Sequence, residues 1–108
     1  LAAALVAGCA PPVASGGFDA PDPASRIYAA QRAAMEGDQS AVPHIVELLD
    51  SDDPAVRFTA IAALERLTGT TLGYDYSATP AERRAAIARW VQYVIGSDFT
   101  TDGPDGRS

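Results

Sequence analysis

The chain has 108 residues, 47% of them hydrophobic and 20% charged, which is the size and composition of one small globular domain. Fourteen acidic residues outnumber eight arginines, there is no lysine, and the net charge of -6 argues against nucleic-acid binding, which depends on cations that neutralise phosphates. A single cysteine and a single histidine exclude an intrachain disulfide framework, a cysteine-rich zinc site and paired-histidine metal motifs. We therefore expect no nucleic-acid partner, no metal and no cofactor.

The first eight residues are apolar and uncharged, and they lead directly into Cys9. Such a run is typical of the end of a secretory signal peptide. The tetrad Val6-Ala7-Gly8-Cys9 resembles the bacterial lipobox, which implies acylation of the Cys9 thiol with diacylglycerol, cleavage before it, and a lipid anchor in a membrane of the bacterial cell envelope. The alternative is a buried free cysteine in a helix of a cytoplasmic protein, but Pro11 and Pro12 would end that helix.

Composition divides the chain into four segments. Residues 1–8 are interpreted as the end of the signal peptide. Residues 9–21 are interpreted as the lipidated cysteine and a flexible tether, because their prolines and glycines neither pack nor hold a helix. Residues 22–96 are expected to form the folded helical domain. Residues 97–108 are expected to form a disordered acidic tail in which only Phe99 offers apolar surface to bury.

The expected domain contains an internal repeat with an offset of 31 residues. Residues 22–29 align with residues 53–60, and five of the eight positions are identical. Each copy begins with an Asp-Pro pair, in which the aspartate caps the first amides of a helix and the proline occupies its first turn. Each copy also carries an arginine four residues after the aspartate, Arg26 and Arg57.

Start and stop signals predict four helices and no strand, so the fold class is all-α. The helices are expected at Pro23–Glu36, at Ala41–Asp50 with Ser40 as its cap, at Pro54–Thr68, and at Pro80–Ile95. Thr79 and Glu82 have the spacing of a capping box at the start of the fourth helix. Gly37, Gly69 and Gly96 are placed to end the first, third and fourth helices.

Residues 53–57, followed by Ala60, Ala63 and Leu64, resemble the first helix of a short HEAT-like repeat, and residues 41–49 resemble its second helix. The resemblance implies a short α-α superhelix of about two helix pairs. It also implies a structural polar ladder along the stack, formed by Asp22, Arg26, Asp53 and Arg57. Each repeat leaves an open apolar edge. Either the long loop and the fourth helix, which contains the tryptophan, cap the stack, or the chain pairs with a partner through an open end.

Four groups of residues could carry function. His44 and Glu47 lie one turn apart as either a base and its orienting group or a solvated ion pair. Asp50, Asp52 and Asp53 suggest either a cation site or a helix end followed by a cap. In each case we favour the second interpretation.

The other two groups lie in and after the long loop. Arg83, Arg84 and Arg89, beside Trp90 and Tyr93, are interpreted as a capping helix in preference to a nucleotide or lipid contact. Tyr74 and Tyr76 are candidates for partner contact, with the equal alternative that they fold back over an apolar edge.

The leading hypothesis is a lipid-anchored interaction module without catalytic activity. Its protein partner would contact a surface formed by His44, Glu47, Tyr74 and Tyr76, and its membrane contact would be the lipid on Cys9. The HEAT-like resemblance implies two alternative functions. The first is that of a bilin lyase-type enzyme or chaperone, and the second is nucleic-acid binding as in HEAT-like DNA glycosylases. The envelope address counts against the first, and the acidic charge and the export signal count against the second.

Overall fold

The computed structural model describes residues 17–97. The tetrad Val6-Ala7-Gly8-Cys9, residues 9–16 of the expected tether and residues 98–108 of the expected tail lie outside the described residues. Within the described part the chain is helical and has no strand, so the predicted all-α class is confirmed. No helix of residues 17–97 combines the length and the hydropathy needed to cross a bilayer.

Four α-helices follow one another along the chain. They are α1 (Pro23–Glu36), α2 (Val42–Leu48), α3 (Pro54–Thr68) and α4 (Pro80–Ser97), and two 3-10 turns occupy Gly17–Asp19 and Gln39–Ala41. The predicted limits of α1 and α3 are confirmed. The prediction for α2 was too long, since a 3-10 turn precedes it and it ends at Leu48. The cap assigned to Ser40 was also wrong, because its amide and its hydroxyl both donate to the Asp38 carboxylate, at 3.1 and 2.6 Å.

Local hydrogen bonds explain where the longer helices begin and end. Asp22 accepts from the Ser25 amide at 2.9 Å, and Asp53 accepts from the Ala55 amide at 2.8 Å. Gly37 and Gly69 end α1 and α3 with φ angles of 67° and 85°, which residues with a Cβ rarely adopt. The reciprocal amide bonds of Thr79 and Glu82 confirm the capping box of α4, although that helix continues through Gly96 to Ser97.

The helices form two layers. α1 packs along α3, α2 packs against α3, and α4 lies against α2, so α1 and α3 form one layer and α2 and α4 the other. This arrangement is a short α-α superhelix of two helix pairs, as predicted. The largest fully buried side chains come from the second to fourth helices and from Leu49, which directly follows α2; those in helices are Ile45, Val42, Leu64, Val56 and Trp90. α1 contributes mainly alanines to the core, which allows close approach to α3.

Part of the segment expected to be a tether packs on the helices. Ala20 is buried, Phe18 packs partly buried against the core, and the Arg26 Nη1 donates to the Ala20 carbonyl at 2.6 Å. The folded part therefore begins before Asp22, and the boundary drawn there from composition needs correction. Composition did not indicate this packing, because Phe18, the one large side chain of this segment that packs on the core, lies among prolines and glycines.

Candidate functional site

The two repeat arginines brace the chain that leads into each odd-numbered helix. Arg26 donates to the carbonyls of Ala20 and Pro21, at 2.6 and 3.0 Å. Arg57 is only 9% exposed and donates to the carbonyls of Ser51 and Tyr76, at 2.9 and 3.1 Å.

These contacts correct the expected ladder of Asp22, Arg26, Asp53 and Arg57. Both aspartates cap their own helices, and within residues 17–97 no ion pair links them to the arginines. The four residues support local structure separately, and they do not form a continuous row of charges.

The loop of residues 69–79 is bound to the body of the protein by side chains of α3 and α4. Trp90, which is fully buried, donates from Nε1 to the Thr71 carbonyl at 2.9 Å. Arg89 donates to the Leu72 carbonyl at 2.7 Å, and Arg83 donates to the Ala78 carbonyl at 2.7 Å. These contacts agree with the interpretation of the basic helix as a cap, because Arg83 and Arg89 bind carbonyls of the loop.

Gly73 has a backbone conformation that favours glycine where the loop passes α4. Its φ is 80°, and a Cβ placed on it would lie 2.8 Å from the Arg89 Nη2. A larger residue would therefore meet both backbone strain and a clash with the guanidinium that holds the neighbouring Leu72 carbonyl.

Tyr74 is buried, with 5% of its surface exposed, and its hydroxyl donates to the Leu49 carbonyl at 2.6 Å. Burial raises the pKa of this phenol above its ordinary value of 10.0. The expectation that Tyr74 contacts a partner is therefore corrected: this tyrosine folds back and joins the loop to the end of α2.

His44 and Glu47 are both exposed on α2, but their side chains are engaged differently. The His44 ring stacks on Phe18, with ring centroids 5.5 Å apart and planes 12° apart. Glu47 lines the groove between α2 and α4. The described residues include no hydrogen bond between the two side chains, so this geometry supplies no carboxylate to orient the imidazole as a base.

The groove between α2 and α4, which we call the α2–α4 groove, encloses about 530 Å³. Its apolar lining consists of Val46, Ile87, Ala88 and Val91, and its charged lining consists of Glu47, Asp50 and Arg84. Among residues 17–97 the only salt bridge joins Arg32 to Glu36 at 2.9 Å, so the three charged groups of this groove have no ion-pair partner there.

Tyr76 lies in a different place from the other candidates. It is 36% exposed, its ring meets Phe58 edge-on at a centroid distance of 5.1 Å, and its carbonyl accepts from Arg57. Phe58 belongs to a second groove of about 430 Å³ between α1 and α3, which we call the α1–α3 groove. The structure therefore does not bring His44, Glu47, Tyr74 and Tyr76 onto one surface.

The aspartates around residue 50 occupy separate local roles. Asp53 caps α3, and Asp50 lines the α2–α4 groove. In the part of the chain that the structure describes, no three His, Cys, Asp or Glu side chains are grouped closely enough to hold a metal ion.

Sequence reasoning missed the α1–α3 groove and the partner of His44. Met35, which lines that groove, is 75% exposed, and Phe58 is 53% exposed. The position of α1 beside Phe58 depends on long-range packing, which the sequence does not indicate. No local pattern pairs Phe18 with His44.

Two stacked helix pairs with a loop bound over the last of them define a short α-solenoid. A family model described as HEAT repeats matches residues 11–85. The match covers more than half of the chain, so the protein belongs to the HEAT-repeat family and is built as a helical repeat scaffold. Comparisons with curated proteins and with solved structures found no match.

Proposed function

We propose that this protein is a lipid-anchored scaffold module that binds a protein partner in the α2–α4 groove and catalyses no reaction. The observation that carries the partner proposal is the lining of that groove. Val91 is 42% exposed there, beside the carboxylates of Glu47 and Asp50. Apolar surface next to charges that lack an internal partner is typical of a surface that another protein covers.

The charged residues of the groove favour a cationic partner. Glu47 and Asp50 face a single Arg84, and the whole chain carries a net charge of -6. A partner that places apolar side chains against Val91 and a lysine or arginine near the carboxylates would satisfy both features. His44 and Tyr76 do not line this groove, and their contact with a partner remains a prediction.

The anchoring proposal depends on the tetrad Val6-Ala7-Gly8-Cys9. Acylation of Cys9 would hold the helical module close to a membrane of the bacterial cell envelope. The absence of catalysis is proposed because the one histidine stacks on Phe18 and the arginines of α4 are largely engaged in holding the loop.

The anchor is tested by the mass of the mature amino-terminal peptide from membranes of the native host. We expect a diacylglyceryl group on Cys9 and the loss of residues 1–8. An unmodified Cys9 in a soluble chain would refute the anchor and reopen the cytoplasmic lyase and nucleic-acid alternatives.

The groove is tested separately, by photocrosslinking in intact cells from an unnatural residue placed at Glu47. We expect one discrete protein adduct that disappears in Val91→Glu and persists in Met35→Glu, a matched control on the other layer. Both changed side chains are exposed, so both variants should fold. An adduct that is equally strong in Val91→Glu would exclude the α2–α4 groove as the binding site.

A further inference from the structure

The α1–α3 groove is a second exposed apolar surface, on the layer that the proposed function does not use. Ala34, Ala62 and Ala63 are the small residues that line it, and Met35 and Phe58 border it with 75% and 53% of their surfaces exposed. The edge-on contact with Tyr76 supports the Phe58 ring from the loop. An apolar patch that brings together side chains from two helices and a loop is more than a scattered surface residue.

One charged side chain lines this groove, and its position is fixed. Arg66 donates from Nε to the Ala34 carbonyl at 3.2 Å, which ties the end of α3 to the end of α1. Its two Nη groups make no hydrogen bond or ion pair within residues 17–97. The neighbouring Arg32 is already neutralised by Glu36. Arg66 therefore supplies a positioned cation with free donors on an otherwise acidic protein.

We propose that the α1–α3 groove binds an amphipathic helix of a partner protein that carries a carboxylate beside its apolar face. Such a helix would place apolar side chains, spaced by three and four residues, over the alanines and against Met35 and Phe58. Its glutamate or aspartate would accept two parallel hydrogen bonds from the free Nη groups of Arg66. The methionine side chain is flexible and polarisable, which suits a wall that adapts to its ligand.

This site has the opposite charge preference from the α2–α4 groove. Glu47 and Asp50 favour a cationic partner there, whereas Arg66 favours an anionic one here. The two sites lie on different layers, so the protein can hold two partner segments at once. The α1–α3 proposal does not depend on the function proposed for the α2–α4 groove.

The test uses the full chain and a fluorescein-labelled helical peptide of about four turns. Leucines on one face of the peptide are flanked by glutamates, and a matched peptide carries lysines in place of the glutamates. Fluorescence anisotropy at physiological ionic strength measures both dissociation constants. We expect Met35→Glu to weaken binding of the glutamate peptide about tenfold or more, and Val91→Glu to leave that binding unchanged. In Arg66→Gln, most of the difference in affinity between the glutamate peptide and the lysine peptide should disappear.

Three results would overturn the proposal. The first is no binding of the glutamate peptide at about 100 μM, a concentration that would saturate a site with a dissociation constant of about 1 μM. The second is weakening by Val91→Glu equal to that by Met35→Glu. The third is an Arg66→Gln variant, shown to be folded by circular dichroism, that retains the full effect of the glutamates.

Discussion

The two copies of the repeat begin with the same residues and the same hydrogen bond, yet they are buried differently. The Nη1 of Arg26 and the Nη1 of Arg57 each donate to the carbonyl six residues earlier, at 2.6 and 2.9 Å. Arg57 is 9% exposed and also holds the loop through the Tyr76 carbonyl, whereas the second bond of Arg26 goes to the neighbouring Pro21. The repeat thus encodes a local brace, and the surroundings decide how much that brace contributes to stability.

The surroundings differ because the connections within the two helix pairs differ. Residues 37–41 join α1 to α2, whereas residues 69–79 join α3 to α4 and pack on the body of the protein. The longer loop brings Tyr74 into the core and places Tyr76 against Phe58. A buried polar group that loses its partner costs more free energy than an exposed one, so the second copy should be the more sensitive to substitution.

The largest effect is expected at Trp90, which anchors this loop. Trp90→Ala should lower the free energy of unfolding by about 3–5 kcal/mol, because it removes a fully buried aromatic side chain. Urea unfolding followed by circular dichroism measures this, since Trp90 is the only tryptophan and fluorescence would be lost with it. Trp90→Phe, which retains most of the ring but not the bond to the Thr71 carbonyl, should cost less. A loss below about 1 kcal/mol in Trp90→Ala would contradict the anchoring role.

The matched pair Arg57→Met and Arg26→Met tests the comparison directly. Arg57→Met should cost about 3 kcal/mol, because two carbonyls lose a charged donor that is itself only 9% exposed. Arg26→Met should cost about 1 kcal/mol, because Arg26 is less buried than Arg57 and its second bond, to the Pro21 carbonyl, is exposed. Chemical unfolding of both variants under one set of conditions gives the difference. Equal losses would show that the loop adds nothing to the brace.

The parts of the fold that sequence predicts are those with local causes. The Asp-Pro starts and glycine ends of α1 and α3 depend on residues within one turn, and their limits were predicted correctly. The start of α2 was not predicted correctly. The Ser40 amide donates to the Asp38 carboxylate, and Asp38 caps a 3-10 turn that precedes α2.

The candidate site depended on longer-range packing, and sequence predicted it less well. Helical periodicity indicated that Glu47 is exposed, but its position opposite α4 depends on how α2 and α4 pack. For Tyr74 the sequence left partner contact and folding back as equal alternatives, and the second is the one observed, because the hydroxyl donates to an acceptor 25 residues away, the Leu49 carbonyl. A tyrosine next to glycine in a loop gives no local signal that such an acceptor exists.

Tyr74→Phe sharpens the comparison by removing one loop contact without changing the shape of the core. At neutral pH we expect a loss of about 1 kcal/mol, since the Leu49 carbonyl loses its donor. Because burial raises the pKa of the folded phenol, its stabilising contribution is present below the ordinary value of 10.0 and is lost as pH rises above it. Wild type should therefore lose more stability than Tyr74→Phe in alkaline solution, as measured by thermal unfolding at a series of pH values. Parallel alkaline losses in both would contradict the buried position of the phenol.

The smallest effect is expected at the caps, where the two copies are nearly equivalent at neutral pH. Asparagine caps a helix about as well as aspartate, so Asp22→Asn and Asp53→Asn should each change neutral-pH stability less than any substitution above. Acidic solution tests the cap of α1. The Ser25 amide and hydroxyl hold the pKa of Asp22 below 3.8, so its contribution is present above that value and is lost as pH falls through the lower folded pKa. Unfolding curves at decreasing pH should show a smaller acid-induced loss for Asp22→Asn than for wild type. If the two curves coincide, the bonds from Ser25 do not favour the ionised carboxylate, and the first cap acts only through its geometry.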